Sequence, residues 1–334
     1  MKKIKNGVLL PFFLILFNAC SHDNLIIPDT GRKIVINGFI SSDSLLNVRI
    51  SKSAFISDNS PAADTNLSSL YNAEVYMYQN STKIDSLYYK PSRNPYGSST
   101  SGSNTWFHFG NYKSKKVIPL PGAEYKIIVK APGLPDATAT TSIPNKVILD
   151  RIDSSRFITS DPDLTYNVCM KFDIEFTDPG NETNYYLFNI WKIPSRDNYR
   201  NLLFYCNDPI VEEKINYLHD YVGAITKQFY GVAFTDKIIN GQKYSLAVTV
   251  LGLDIGKPFV ENGEEIPNSH KKTIYFRLYS ITKECFTYIQ TLNLYNQNLT
   301  NPLANPVTVY SNIKGGYGIF AGAAVATDSI VFNY

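Results

Sequence analysis

Cysteine is scarce in this chain: four in 334 residues, at positions 20, 169, 206 and 285, with no pair at Cys-x-x-Cys spacing. That excludes a disulfide scaffold and a zinc framework. Charged residues are also sparse, at 18%. No basic run is long enough to track a phosphate backbone, so nucleic acid is not an expected partner. Motifs of hydrolytic chemistry are missing as well. Neither a Gly-x-Ser-x-Gly elbow nor a His-Glu-x-x-His helix motif occurs among the four histidines, His22, His108, His219 and His270. Cys206, His219 and Asp220 contain the residue types of a thiol hydrolase, but their spacing matches no local signature. An enzyme is therefore not expected. Asp161 and Asp163, and the group Asp178, Asn181 and Glu182, are oxygen-rich but lack EF-hand order. They read as solvated turns, and neither a metal nor another cofactor is expected.

Long apolar runs are absent too. The longest in the N-terminal region, residues 8–17, is interrupted by Pro11 and is far short of the ~20 residues a spanning helix needs. Lys2, Lys3 and Lys5 precede it, and Ala19-Cys20 closes it. A positive start, a short apolar stretch and a small residue before cysteine form a lipoprotein export signal. Residues 1–19 are expected to be removed, leaving Cys20 as the lipidated N-terminus. Phe17 departs from the smaller aliphatic residue usual at that place. Three of the 32 basic residues lie in this leader, leaving 29 against 29 acidic ones, so the 315-residue mature chain is formally neutral. Lipidation also leaves Cys169, Cys206 and Cys285, which allow one disulfide at most, with the pairing open.

What the chain does have is aromatic residues, 24 Tyr and 19 Phe, which favour β-structure with wet, tyrosine-rich faces. Residues 20–32 read as a tether. Period-two alternation marks strands at 33–40, 46–50, 74–79 and 125–130, with turns at Asn37-Gly38, Pro121-Gly122 and Pro132-Gly133. The Ser/Gly/Asn-rich stretch 91–104 reads as a long hairpin loop. Together, 33–145 has the size and punctuation of an immunoglobulin-like β-sandwich. A second β-rich, sandwich-like domain is expected over 146–334, with strands at 168–176, 185–191, 244–250 and 273–278. One helix is expected near 281–295, where Ile281, Cys285, Ile289 and Leu292 recur at helical spacing after the caps Ser280 or Thr282. Segment 197–227 fits neither period and reads as an insertion. Gly315, Gly316 and Gly318 suit a tight turn; no Gly-Lys-Ser/Thr accompanies them, so they do not form a phosphate loop. Few segments alternate over the ~9–11 residues of a membrane barrel strand, so an integral barrel is not the reading.

Five segments carry a family resemblance. They are Lys33-Ile34-Val35-Ile36-Asn37-Gly38; the Ala/Thr run 136–144 ending at Pro144; Asp178-Pro179-Gly180-Asn181 with Asn184-Tyr185-Tyr186; Phe234-Thr235-Asp236 with Asn240-Gly241-Gln242; and Asn305-Pro306-Val307, Tyr310-Ser311-Asn312-Ile313 and Gly315-Gly316-Tyr317-Gly318-Ile319-Phe320. In this order they resemble the bacterial domain of unknown function 4249 family. Members often carry Glu before the proline where this chain has Asn305, which puts any role of a carboxylate there in doubt. The resemblance implies a two-domain β lipoprotein of a Gram-negative outer membrane, encoded near TonB-dependent receptors. A TonB-dependent receptor is thus the implied partner, with the membrane held through the Cys20 lipid and the ligand unnamed. Asp23, just after the lipidated cysteine, favours the cell surface over the periplasmic face. The expected role is docking or substrate capture without catalysis; the alternative is a structural or adhesive surface protein with no transporter. Tyr88, Tyr89, Tyr96 and Trp106, in or beside the 91–104 loop, are the candidate contact residues, because such side chains give large contact area at low entropy cost.

Overall fold

Alternation of apolar and polar residues puts one face of each strand into a core, and the structure, a computed structural model, follows that rule. It describes residues 31–54, 69–90, 110–158, 168–180, 182–192, 200–202, 204–211, 231–251, 259–261, 264–266, 271–298 and 303–333. The leader with Cys20, the 91–104 loop, Tyr96, Trp106, His219, Asp220, Asp161 and Asp163 lie outside these residues, as do parts of segment 197–227.

The first half supplies β1 (Ile34–Ser41), β2 (Asn47–Lys52), β3 (Glu74–Gln79), β4 (Thr82–Tyr89), β5 (Tyr112–Lys113), β6 (Glu124–Lys130) and β7 (Ala137–Ser142). Asn80 and Ser81, both at positive φ, make the two-residue turn of the β3–β4 hairpin. The second half supplies β8 (Leu149–Ile158), β9 (Val168–Thr177), β10 (Tyr185–Lys192), β11 (Arg200–Asn201), β12 (Phe204–Tyr205), β13 (Val232–Thr235), β14 (Lys243–Leu251), β15 (Phe259–Glu261), β16 (Glu264–Ile266) and β17 (Lys271–Ile281). The helix α1 (Lys283–Asn298) and the long β18 (Tyr317–Asn333) complete it. The chain is mainly β, as expected.

A twelve-stranded sheet runs β11-β10-β17-β18-β1-β2-β5-β4-β3-β6-β7, with β13 also on β10. Strand β18 is its pivot, parallel to β1 and antiparallel to β17. The first-half strands curl until β7 meets the approach to β18, where Thr138 and Lys314 exchange backbone hydrogen bonds of 2.8 and 2.9 Å. Ile34, Ile36, Val48, Met77, Tyr125 and Ile127 fill the space enclosed, together with Phe320 from β18. A second sheet, β12-β14-β9-β8, stacks on β10 and β17 over Phe172, Ile174, Phe176, Phe188, Leu246 and Phe276. Its rings meet edge-on or tilted, as at Phe172–Phe276 with centroids 4.9 Å apart.

The opposite face of β10, β17 and β18 receives α1, which buries Cys285, Phe286, Ile289 and Leu292 against Leu187, Tyr279, Ile281 and Ala323. Thr282 caps the helix, its Oγ1 accepting from Cys285 N at 3.4 Å. Ile281 closes β17, so the helix starts two residues later than the spacing alone suggests. Alanines 321, 323, 324 and 326 keep β18 thin where neighbours crowd it. A Cβ on Gly322 would lie 1.9 Å from Ser142 O. From Arg32 onward the described chain is one compact unit. The connection 143–148 spans the expected domain boundary, and β18 returns across it to pair with β1.

Candidate functional site

The five segments behind the family resemblance come together as two junctions. At the first, Lys33-Ile34-Val35-Ile36-Asn37-Gly38 and Tyr317-Gly318-Ile319-Phe320 are register partners in the parallel pair: Val35 lies opposite Tyr317, Ile36 opposite Gly318 and Gly38 opposite Phe320. The 136–144 run is β7 and its flanks, which hold Lys314. At Gly318, φ is +103° and a Cβ would sit 2.1 Å from Ile36 O, so only glycine fits this close parallel approach.

The second junction joins the turn after β9 to the β13–β14 connection. Asp178 accepts from Tyr186 Oη–H through Oδ1 and from Gly241 N at 2.9 Å through Oδ2, while Asp178 N donates to Gln242 O at 3.0 Å. Asp236 Oδ2 accepts from Asn184 N at 2.8 Å, and Asp236 N returns a bond to Asn184 O at 3.1 Å. Burial raises the Asp178 carboxyl above its ordinary pKa, against the pull of the Tyr186 and Gly241 hydrogen bonds. The same burial, with Asp178 alongside, raises the Tyr186 phenol. Protein donors engage both Asp178 oxygens, so this acid brackets two turns. Among the described residues no group of three or more His, Cys, Asp or Glu is placed to hold a metal ion.

The three described cysteines are buried and unpaired with one another. Cys206 lies 3.7 Å from Ala247 O, and burial pushes its thiol up to about 11. That is the opposite of the lowered pKa of an activated nucleophile.

Of the four aromatic candidates, Tyr88 and Tyr89 are adjacent in β4, while Tyr96 and Trp106 lie outside the described residues. Tyr89 is 36% exposed and meets Tyr112 edge-on at 5.5 Å. Tyr88 points the other way, with Lys115 Nζ 5.0 Å from its ring centroid. On the same outward face Tyr76 carries Lys83 Nζ at 4.0 Å. The result is an aromatic and cationic strip across β3 and β4.

A second polar constellation has no counterpart in the sequence reading. On the α1-facing side of the large sheet, Asn189 lies opposite Arg277, which lies opposite Thr327. The Arg277 guanidinium stacks on Trp191, 4.3 Å from ring centroid to Cζ, and Nη1 donates to Tyr279 Oη at 3.3 Å. Its signal was Asn189 and Arg277 standing alone as polar members of the apolar runs 185–191 and 274–279. Such runs mark strands covered on both faces, where a polar residue needs a reason.

These features define a mainly β chain whose shared segments build turns and strand junctions. The family model described as Domain of unknown function (DUF4249) matches residues 24–329, and the chain belongs to that family. A search of curated proteins returned no match.

Proposed function

We propose that this protein is a lipid-anchored accessory of a TonB-dependent outer-membrane transporter, docking on it or capturing its substrate without catalysing a reaction. Family membership carries the reading: the match begins at residue 24, four positions after the cysteine of a lipoprotein-type leader. Membership implies the transporter by analogy of family. The neutral mature chain and the strip of Tyr76 and Tyr88 with their lysines suit a protein contact surface. Held at the outer membrane through Cys20, the folded part faces the cell exterior.

A deletion strain grown on single defined nutrients tests the role. A specific uptake defect, restored by the wild-type gene and not by Cys20→Ser, is expected. Normal uptake of every nutrient would instead favour a structural or adhesive surface protein.

A further inference from the structure

Along the α1-facing side of the large sheet, polar groups are buried without being matched. Asn189 is 7% exposed, and its Oδ1 has no hydrogen-bond donor; Arg277 Nε is equally shielded and has no acceptor. Leaving a buried polar atom unmatched costs ~1–3 kcal/mol, and a native fold retains few of them. These two are direct cross-strand neighbours in one row.

The guanidinium is already oriented. Trp191 backs it, and Tyr279 Oη accepts from Nη1. Tyr279 is held in turn among Leu187, Val325 and the apolar face of α1. That leaves the Nε–Nη2 edge, whose two parallel N–H groups match the two oxygens of a carboxylate. Among the described residues no carboxylate of the chain is within ion-pair distance of it.

The surroundings set the chemistry and the approach. The row beyond Tyr279 is sealed by α1, whereas Thr327 and Ser329 on β18 are exposed. Burial therefore falls from β10 towards β18, which is the open side. One guanidinium suits a monoanion. An acceptor beside it, Asn189 Oδ1, calls for a donor on the ligand next to the anionic group. A sulfate, acceptor only, would leave Oδ1 unmatched, and a phosphate dianion carries more charge than one guanidinium balances. In the next row Trp191 backs the guanidinium, and half-buried Tyr275 opposite it offers aromatic surface to the ligand body.

We infer that Arg277 and Asn189 form a binding site for a small carboxylate carrying a hydroxyl or N–H donor within two carbons of the carboxyl group, with Trp191 stacked behind the guanidinium. Sugar acids and the C-terminal end of a peptide share this chemistry. The site needs no transporter, and its test on the isolated protein is separate from the membrane role.

Isothermal titration of the mature chain with glucuronate, glycylglycine, acetate and glucose decides the matter. Glucuronate or glycylglycine binds, and which of them does so identifies the source. Acetate lacks the donor and glucose lacks the carboxylate, so each binds at least about tenfold more weakly. Arg277→Lys keeps the charge but loses the fork and weakens binding about tenfold or more. Asn189→Ala removes the preference for glucuronate or glycylglycine over acetate. Tryptophan emission of the unmodified chain gives a readout that needs no variant, since an occupied guanidinium changes the surroundings of the Trp191 ring. Failure of both carboxylates to bind overturns the inference. So does binding that is unchanged in Arg277→Lys and Asn189→Ala, or binding that leaves the tryptophan emission unaltered.

Discussion

The Asn312 side chain spans the backbone of Phe320: Nδ2 donates to Phe320 O at 2.8 Å, and Oδ1 accepts from Phe320 N at 2.9 Å. Only a side-chain amide both donates and accepts at this distance, and the pair ties the segment before β18 to the strand itself. Asn312→Asp keeps the size but loses the donor and sets a carboxylate against a carbonyl. A loss of about 1–3 kcal/mol is expected in urea unfolding, at least as large as for Asn312→Ala. A change within about 0.5 kcal/mol, the range of ordinary surface substitutions, would contradict this role.

Gly322 sits in the middle of β18, where a Cβ would overlap Ser142 O. The obstacle is backbone in a hydrogen-bonded strand, so neither side can yield cheaply. Gly322→Ala should lower thermal stability, with about 1–3 kcal/mol lost through overpacking. A melting curve unchanged from wild type would show that β7 and β18 are not so close.

Asp178 gives a pH signature of unusual sign. Burial raises its folded pKa above the ordinary value of 3.8, so protonation favours the fold. Its stabilising contribution is full below the unfolded pKa and is lost as pH rises through the higher folded one. Relative to Asp178→Asn, the wild type should therefore gain stability as pH falls from neutrality towards pH 4. Denaturant midpoints of the two proteins across that range provide the check, and a gap that moves the other way refutes it.

Much of the frame was legible in the sequence because alternation and turn residues act locally. The strands expected at 74–79, 168–176 and 185–191 appear within a residue or so of those bounds. Strand β8 was not legible: residues 149–158 are nearly all exposed, and without a buried face period two leaves little trace. The parallel return of β18 onto β1 joins residues nearly 300 apart in sequence, which no local pattern encodes. The site differs in the same way. Tyr88 and Tyr89 announced themselves as a cluster, whereas Asn189 and Arg277 become neighbours only through the β10–β17 register.

The thiols should be silent in the folded protein. Cys169, Cys206 and Cys285 are all buried, and burial raises each thiol. A chain begun after Cys20 should react with a maleimide at none of the three while folded, and at all three in denaturant. Rapid labelling of Cys206 in the native state would reopen the question of a reactive thiol there.

The central claim, an accessory held beside a TonB-dependent transporter, is tested most directly by cross-linking intact cells and purifying the protein from membranes in mild detergent. Mass spectrometry should find one TonB-dependent receptor recovered reproducibly with the wild type and lost with Cys20→Ser. Repeated recovery of the cross-linked, membrane-bound protein without any such receptor would contradict the account.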